Sequence, residues 1–356
     1  MGITQLQVKE LAKECGFEIV GIASALPSGD LARFEQWRAA GMAGEMGYMT
    51  DRRGDIRADP RNLLPEARTM LCVGKLYNRR PPSRHKHSAS GRISRYARGH
   101  DYHDVLRKSL ENLVAHIRQH HNEPFQYRIC VDTAPLLERS YARAAGLGWI
   151  GKNTCLINQQ QGSWFFLGEL LLSIPLETDT PVPSRCGTCT RCIDACPTQA
   201  LVPVKAGEFA LDARLCISYL TIEKRGEIDP GLATQMENHI FGCDICQEVC
   251  PWNRRAPFAV DDSAPEPVTD LERLSGLTED EFRTLFRRSP VWRTRYQGFL
   301  RNVATALGNS HNPRLQEPLR KLAFHADPVV ARAASSAIAH FATPTSEAPT
   351  HALASE

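Results

Sequence analysis

At 356 residues, 42% of them apolar and 23% charged, with a formal net charge of +3, the chain is too long for one ordinary core and too apolar for wholesale disorder. Its twelve cysteines, eight of them between Cys186 and Cys250, are too concentrated for a disulfide framework and point instead to metal or redox chemistry. No apolar run reaches membrane-spanning length and no basic head precedes an apolar N-terminal stretch, so the chain is expected in the cytoplasm.

In chain order, residues 6–15 have the spacing of an amphipathic helix, and 17–23 and 70–74 read as buried strands. Leu106, Leu110, Leu113, Val114 and Ile117 share one face of a helix over 104–119. Residues 127–131 form a short strand. A helix over 134–145 takes Pro135 in its first turn. Strands follow at 155–158 and 163–174, the second bent at Gly168. Helices alternating with strands predict a mixed α/β domain over 1–178, within an overall α+β fold. A Pro-rich linker, 179–184, opens a cysteine region, 179–255, and a second linker spans 256–269. The apolar stripes beyond it (Leu300, Val303, Ala304, Leu307; Leu315, Leu319, Leu322, Ala323; Val329, Val330, Ala333, Ala334, Ala337, Ile338) resemble HEAT-type helical repeats over 270–342. Residues 343–356 are expected to be a disordered tail.

The modest net charge hides an asymmetry. Residues 75–108 carry ten Lys or Arg against Asp101 and Asp104, and residues 283–332 carry ten against Glu317 and Asp327. Two basic blocks on an otherwise acidic body suit a polyanion, nucleic acid first.

Cys186-x2-Cys189-x2-Cys192-x3-Cys196-Pro197 is the spacing of a bacterial ferredoxin. Cys243-x2-Cys246-x3-Cys250-Pro251 repeats it without the first cysteine, and Cys216 supplies the missing thiolate. Two 4Fe–4S clusters result: Cys186, Cys189, Cys192 and Cys250 on one; Cys196, Cys216, Cys243 and Cys246 on the other. Structural zinc explains neither the triple spacing nor the two Cys-Pro endings. Cys72 and Cys130 lie in apolar strand runs and read as core thiols, as does Cys155, for which a cofactor-facing position is the alternative.

Several stretches occur in one order: Tyr96-Ala97-Arg98-Gly99-His100-Asp101-Tyr102-His103, Val131-Asp132-Thr133-Ala134-Pro135-Leu136-Leu137-Glu138-Arg139, Gly148-Trp149-Ile150-Gly151-Lys152, Trp164-Phe165-Phe166-Leu167-Gly168-Glu169-Leu170, Cys216-Ile217-Ser218-Tyr219 and Cys250-Pro251-Trp252-Asn253. Together they resemble the epoxyqueuosine reductases, cobalamin-dependent oxidoreductases of queuosine synthesis. The resemblance implies reduction of an epoxide on a modified tRNA anticodon base, with the clusters feeding electrons to cobalamin. It makes Asp132 the proton donor, which requires a raised pKa at neutrality. It further implies cobalamin contacts from Arg57, Tyr96 and Ala97, with Lys152, Asn153 and Ser163 in Gly-rich turns suited to the corrin amides. Neither Tyr96 nor Ala97 offers a thiol or imidazole to cobalt. Asp101-Tyr102-His103 opens like the cobalt-ligand motif of base-off cobalamin proteins, but Leu106 replaces its Gly, so His103 is read as a polar residue near a helix start. The implied partners are tRNA carrying epoxyqueuosine and an electron donor the sequence does not identify, with the chain acting as a monomer. A reductive dehalogenase is the alternative, and the basic C-terminal helices speak against it.

Overall fold

The computed structural model describes residues 2–79, 89–259 and 267–341. The expected tail, 343–356, lies outside the described residues, as do 80–88 of the first basic block and 260–266 of the second linker. Four strands make the main sheet in the order Ile19–Ser24, Thr69–Leu76, Phe165–Leu172, Tyr127–Cys130, each neighbouring pair antiparallel. Successive side chains face opposite sides. Leu71, Val73, Leu170 and Leu172 pack on Val8 and Leu11 of the Gln5–Glu14 helix and on Leu106, Leu110 and Leu113 of the Tyr102–His120 helix. Met70, Cys72, Cys130 and Leu171 face Tyr141 and Ala142 of the Glu138–Ala144 helix. Covering both faces explains why the strands read as apolar runs rather than alternating patterns.

Two local expectations change. The strand Phe165–Leu172 is not bent at Gly168; it pairs without a break along Thr69–Leu76. A Cβ at Gly168 would lie 3.3 Å from Leu110 Cδ1, so the glycine lets the Tyr102–His120 helix approach closely. The helix expected over 134–145 is confined to Glu138–Ala144. Asp132 adopts φ +50, a left-handed conformation costly for a residue with a Cβ, and 131–137 turn tightly before the helix begins.

Short helices, Arg191–Asp194 and Ile245–Glu248, and a hairpin of Leu201–Lys205 with Glu208–Leu211 form the cysteine region. Helices Leu271–Ser275, Glu279–Phe286, Arg295–Asn309, Gln316–Leu322 and Pro328–Phe341 follow. Their core of Phe282, Phe286, Phe299, Leu300 and Val303 also takes in Ile93, Ala97, Ile240 and Phe241. The strand Arg92–Ile93 pairs in parallel with His239–Phe241, joining the first part of the chain to the cysteine region. Among the described residues no helix is long and apolar enough to cross a membrane.

Arg301 is 1% exposed and bonds to no carboxylate among the described residues. Its guanidinium donates instead to the carbonyls of Leu220 (2.7 Å), Lys224 (2.8 Å) and Gly226 (2.9 Å), while Asn302 Nδ2 donates to Thr221 O (2.8 Å) and Ile240 O (2.9 Å). These bonds tie the long C-terminal helix to the segment that follows Cys216. Arg301→Met leaves the buried Leu220 carbonyl and the part-buried Lys224 and Gly226 carbonyls without this donor and is expected to cost about 2 kcal/mol, most of it at Leu220. The denaturant midpoint of the iron-loaded protein reads this; a midpoint equal to the parent's would count against the tie.

Candidate active site and cluster centres

Asp132 stands just past the Tyr127–Cys130 strand, turned outward by its positive φ. Its Oδ2 accepts from Arg293 Nη2 (2.9 Å) and lies 3.1 Å from His103 Nε2. His103 Nδ1 is 2.6 Å from Asp101 Oδ1, and Asp101 also caps the Tyr102–His120 helix through the His103 N–H. With Nδ1–H given to Asp101, Nε2 of a neutral ring accepts from Arg293 Nη2 at 2.6 Å; once protonated, Nε2 donates to Asp132 instead. Arg293 also reaches the Tyr102 hydroxyl (3.2 Å), and the Tyr102 ring stacks on Phe166. Tyr48, hydrogen-bonded to Glu223, is close enough to feel the charges of Asp132 and Arg293. The Asp132 side chain is 42% accessible although groups surround it, so it lies in an open cleft.

The proton therefore sits elsewhere than expected. Burial pushes the Asp132 carboxyl up, but the hydrogen bond from His103 and the charge of Arg293 outweigh it and hold the group at about 2. Burial pushes His103 down, but its bonds to Asp101 and Asp132 outweigh that and raise it to about 9. With these neighbours Asp132 is ionised at neutrality and His103 is charged, whereas the raised value implied by the resemblance rests on burial beside the corrin. Asp132 is held down first by His103 and then by Arg293, more than 160 positions away in the chain, whereas the charge of His103 is secured by Asp101 and Asp132 against the opposing charge of Arg293.

Two buried carboxyls stand behind Asp132. Glu138 accepts a hydrogen bond from the Asp132 backbone N–H, and its Oε1 is buried with no partner among the described residues. Burial, with Asp132's charge beside it, raises Glu138 to about 8. Glu169, 0% exposed and paired across the sheet with Cys72 and Cys130, has no partner there for either oxygen. Burial and the charge of Glu138 raise it well above an ordinary carboxyl. Both hold protons at neutrality.

The expected cobalamin contacts separate into two groups. Arg57 is 5% exposed and donates to Tyr48 O (2.8 Å) and Arg53 O (3.1 Å), while its Nε is buried without a partner among the described residues. Tyr96 packs between Tyr102 and Phe241 and feels the charges of Arg293 and Asp132; Ala97 beside it is buried. Lys152, Asn153 and Ser163, by contrast, are spent on the cysteine region. Lys152 Nζ donates to Gly187 O (2.9 Å) and Cys189 O (3.0 Å), Asn153 Nδ2 to Cys246 O (3.2 Å), and Ser163 Oγ accepts from Gln247 and Asn253.

The eight cysteines fall into two sets close enough to repel one another as thiolates. Cys192 feels Cys186, Cys250 and Cys189, whereas Cys243 feels Cys216 and Cys196, and Cys246 feels Cys216 and Cys243. Cys155, read as a core thiol with a cofactor-facing position as the alternative, also lies here, hydrogen-bonded to Cys246 and close to Cys216 and Cys250. Backbone N–H groups of Ser218, Tyr219, Ile245 and Trp252 point at Cys216, Cys243 and Cys250 and favour their thiolates. Trp149 Nε1, buried without a partner among the described residues, belongs to a side chain packed with Cys186 and Cys250, so a donor stands ready for cluster sulfur. Among the described residues no three His, Cys, Asp or Glu side chains converge for a single ion. A cubane instead takes one thiolate per iron and spaces them wider. Asp244, between Cys243 and Cys246, accepts from the Arg95 N–H (2.8 Å) and from Ser94 Oγ, which sets this inner cluster site against Tyr96.

Residues 185–253 match a family model described as a 4Fe-4S double cluster binding domain, and residues 57–133 one described as Epoxyqueuosine reductase QueG, DUF1730. Curated proteins named epoxyqueuosine reductase from Xanthomonas campestris and Escherichia coli K12 are 44% and 40% identical, each over 85% of this chain and over 86% and 80% of their own length. A crystal structure of epoxyqueuosine reductase with a tRNA-Tyr epoxyqueuosine-modified tRNA stem loop superposes with a TM-score of 0.84 at 28% identity, covering 95% of this chain and 90% of that one. A Bacillus subtilis epoxyqueuosine reductase, described with its aspartate-bearing catalytic loop swung out of the active site, superposes with a TM-score of 0.84 at 29% identity, covering 96% and 91%.

Two measurements test this geometry. His103 should titrate by NMR with a midpoint near 9, and Asp101→Asn should lower it by about a unit or more. Because the folded value is raised, the stability it contributes is present below the unfolded value and is lost as pH rises through about 9. A midpoint near an ordinary imidazole would refute the assigned proton. Cys196→Ser and Cys216→Ser should each halve the iron content and remove the same cluster's signal, leaving the Cys186 cluster intact.

Proposed function

The chain belongs to the epoxyqueuosine reductase family, and we propose that the proton its reaction first needs passes from His103 through Asp132 to the epoxide oxygen. The protein is an oxidoreductase that reduces epoxyqueuosine in tRNA to queuosine. Chemically, two C–O bonds break, a C=C bond forms and the oxygen leaves as water, so each turnover consumes two electrons and two protons.

The observation that carries the reading is an ionised carboxylate, Asp132, held between protonated His103 and Arg293 in an open cleft. As negative charge develops on the departing oxygen, the proton moves along the 3.1 Å contact to Asp132 and on to oxygen. Arg293 and Asp101 keep both groups in line, and Arg293 also offsets the oxyanion. Glu138 and Glu169, both protonated, stand behind this pair as the source of the second proton.

We place cobalamin against Arg57, Tyr96 and Ala97. Arg57 suits it: the buried Nε, without a partner among the described residues, is a donor that the carboxamide rim of a corrin would satisfy. When bound and reduced, the group supplies a strongly nucleophilic, strongly reducing cobalt centre. Lys152, Asn153 and Ser163 act at one remove, fixing the cluster loops. His103 is committed to Asp101 and Asp132 and is not assigned to cobalt. Residues 1–178 form the catalytic α/β domain, 179–255 the ferredoxin-like domain, and 270–342 a HEAT-like helical unit for tRNA. Arg287 and Arg288 are at the surface there, and the Arg288 carbonyl accepts from the Asp101 N–H, which sets that backbone beside the cleft. Arg107 and Lys108, on the His103 helix, extend the basic surface. The reading carries with it a monomer acting in the cytoplasm.

Anaerobic turnover of epoxyqueuosine-bearing tRNA by cobalamin- and iron-loaded enzyme, read by nucleoside mass, tests it. The parent should remove one oxygen, and Asp132→Asn should slow this about a hundredfold or more. Glu138→Gln keeps the acceptor for the Asp132 N–H but holds no proton, and should slow turnover about tenfold. Because Glu138 and His103 act protonated, the parent's rate should fall as pH rises through about 8, and in Glu138→Gln that limb should move toward 9. An unchanged profile would leave Glu138 a structural role only; full activity of Asp132→Asn would remove Asp132 from proton delivery.

A further inference from the structure

The site of electron entry follows from how the two cluster sites sit. The Cys196, Cys216, Cys243, Cys246 site faces inward, joined through Asp244 to Ser94 and Arg95. The Cys186, Cys189, Cys192, Cys250 site lies under a surface loop, in which Arg185, Thr188 and Arg191 are exposed. Arg254 and Arg255, just past Cys250, are exposed as well. Four arginines thus stand within five residues of ligands to one cluster. Among the described residues none of the four has an ion-pair partner, whereas nearby acids are engaged: Asp194 with Thr190, Glu248 with Arg95. Lys152, bonded to the carbonyls of Gly187 and Cys189, adds a further positive charge, and Val182, 38% exposed, adds an apolar contact on the approach to Cys186.

We propose that this arginine collar is the docking surface for a small acidic one-electron carrier protein of the ferredoxin or flavodoxin kind. Charge complementarity argues for it: a ring of unpaired arginines over an electron-accepting group speeds encounter with an acidic partner and keeps the complex short-lived. A small, charged contact is also the usual form of electron-transfer encounters. Each docking moves one electron from the carrier's reduced centre to the outer cluster, with no bond made or broken, and two dockings supply one turnover. The proposal rests on the cluster assignment above.

The test uses the iron- and cobalamin-loaded enzyme with two reductants, a reduced acidic plant-type ferredoxin and reduced methyl viologen. With ferredoxin, the rate of cluster reduction should fall as salt rises, and Arg254→Glu with Arg255→Glu should lower it about tenfold or more at low salt. Viologen-driven turnover, iron content and the KM for tRNA should stay at parental values. Arg185→Glu with Arg191→Glu is the second variant, and should act in the same direction. Salt-independent ferredoxin reduction, no reduction by ferredoxin at all, or an unchanged rate in both variants would overturn the proposal. A raised KM for tRNA would overturn it too, by giving the collar to RNA. Failure of the reductase reading is separate: the parent would then remove no oxygen even with viologen.

Discussion

One carboxylate, Asp132, is shared by two cations from opposite ends of the fold, and the chain is arranged so that they meet. His103 arrives on the first turn of the Tyr102–His120 helix, whose packing under the sheet fixes its height. Arg293 arrives on the turn Pro290–Thr294, which has to be carried back across the molecule. Arg225, from the segment after Cys216, donates to the carbonyls of Arg293 (3.1 Å) and Thr294 (3.4 Å), so the cluster region itself holds the arginine in place. Removing either cation would take away part of what offsets burial, and the proton affinity of Asp132 would rise.

The same logic explains why the cysteine region is knitted in rather than hung on. Asp244 lies between two cluster ligands and fixes Ser94 and Arg95, the residues leading to Tyr96. Asn302 and Arg301 clamp the other side of that region from the C-terminal helix. Electron transfer depends on fixed separations, and these bonds join the cluster loops to rigid elements. Lys152, Asn153 and Ser163 belong to this framework, since each meets the cysteine region through a short polar contact.

What can be read in the sequence follows the range of the interactions. Cysteine spacing is a local signal, so the double-cluster region is legible in the chain itself, as are the helix bearing Leu106 and Leu110 and the strand bearing Cys72. Asp132 is legible only through resemblance, and its protonation is not legible at all, because it depends on His103 and Arg293 being brought to it, and Arg293 carries no local mark. In the sequence Arg293 is one of ten basic residues in its block. His103 is obscured because the motif it opens lacks its Gly, though Asp101 two residues earlier marks a paired imidazole. Glu169 is visible only as a break in an apolar run. Its meaning needs the sheet register that sets it opposite Cys72 and Cys130, on the side facing Glu138.

In the proposed reading, storing the proton on an imidazole rather than on the carboxyl has a chemical consequence. A strongly reducing centre held beside a strong acid would lose electrons to that acid's proton. Asp132 at about 2 cannot hold a proton at rest, and His103 at about 9 holds one too firmly to release without demand. The demand comes only when the breaking C–O bond puts charge on oxygen, whose basicity then exceeds that of the imidazole. Glu138, at about 8, sits a step below His103 in proton affinity and behind Asp132 in space, so it can restore the pair without exposing an acidic proton to the cleft. In the proposed reading, electrons approach from the cysteine side, where Asp244 bonds to Ser94 and Arg95, and protons from the sheet side, where Glu169 and Glu138 lie. Asp132 is where the two routes meet, which is why its charge, and not merely its presence, is what the fold controls.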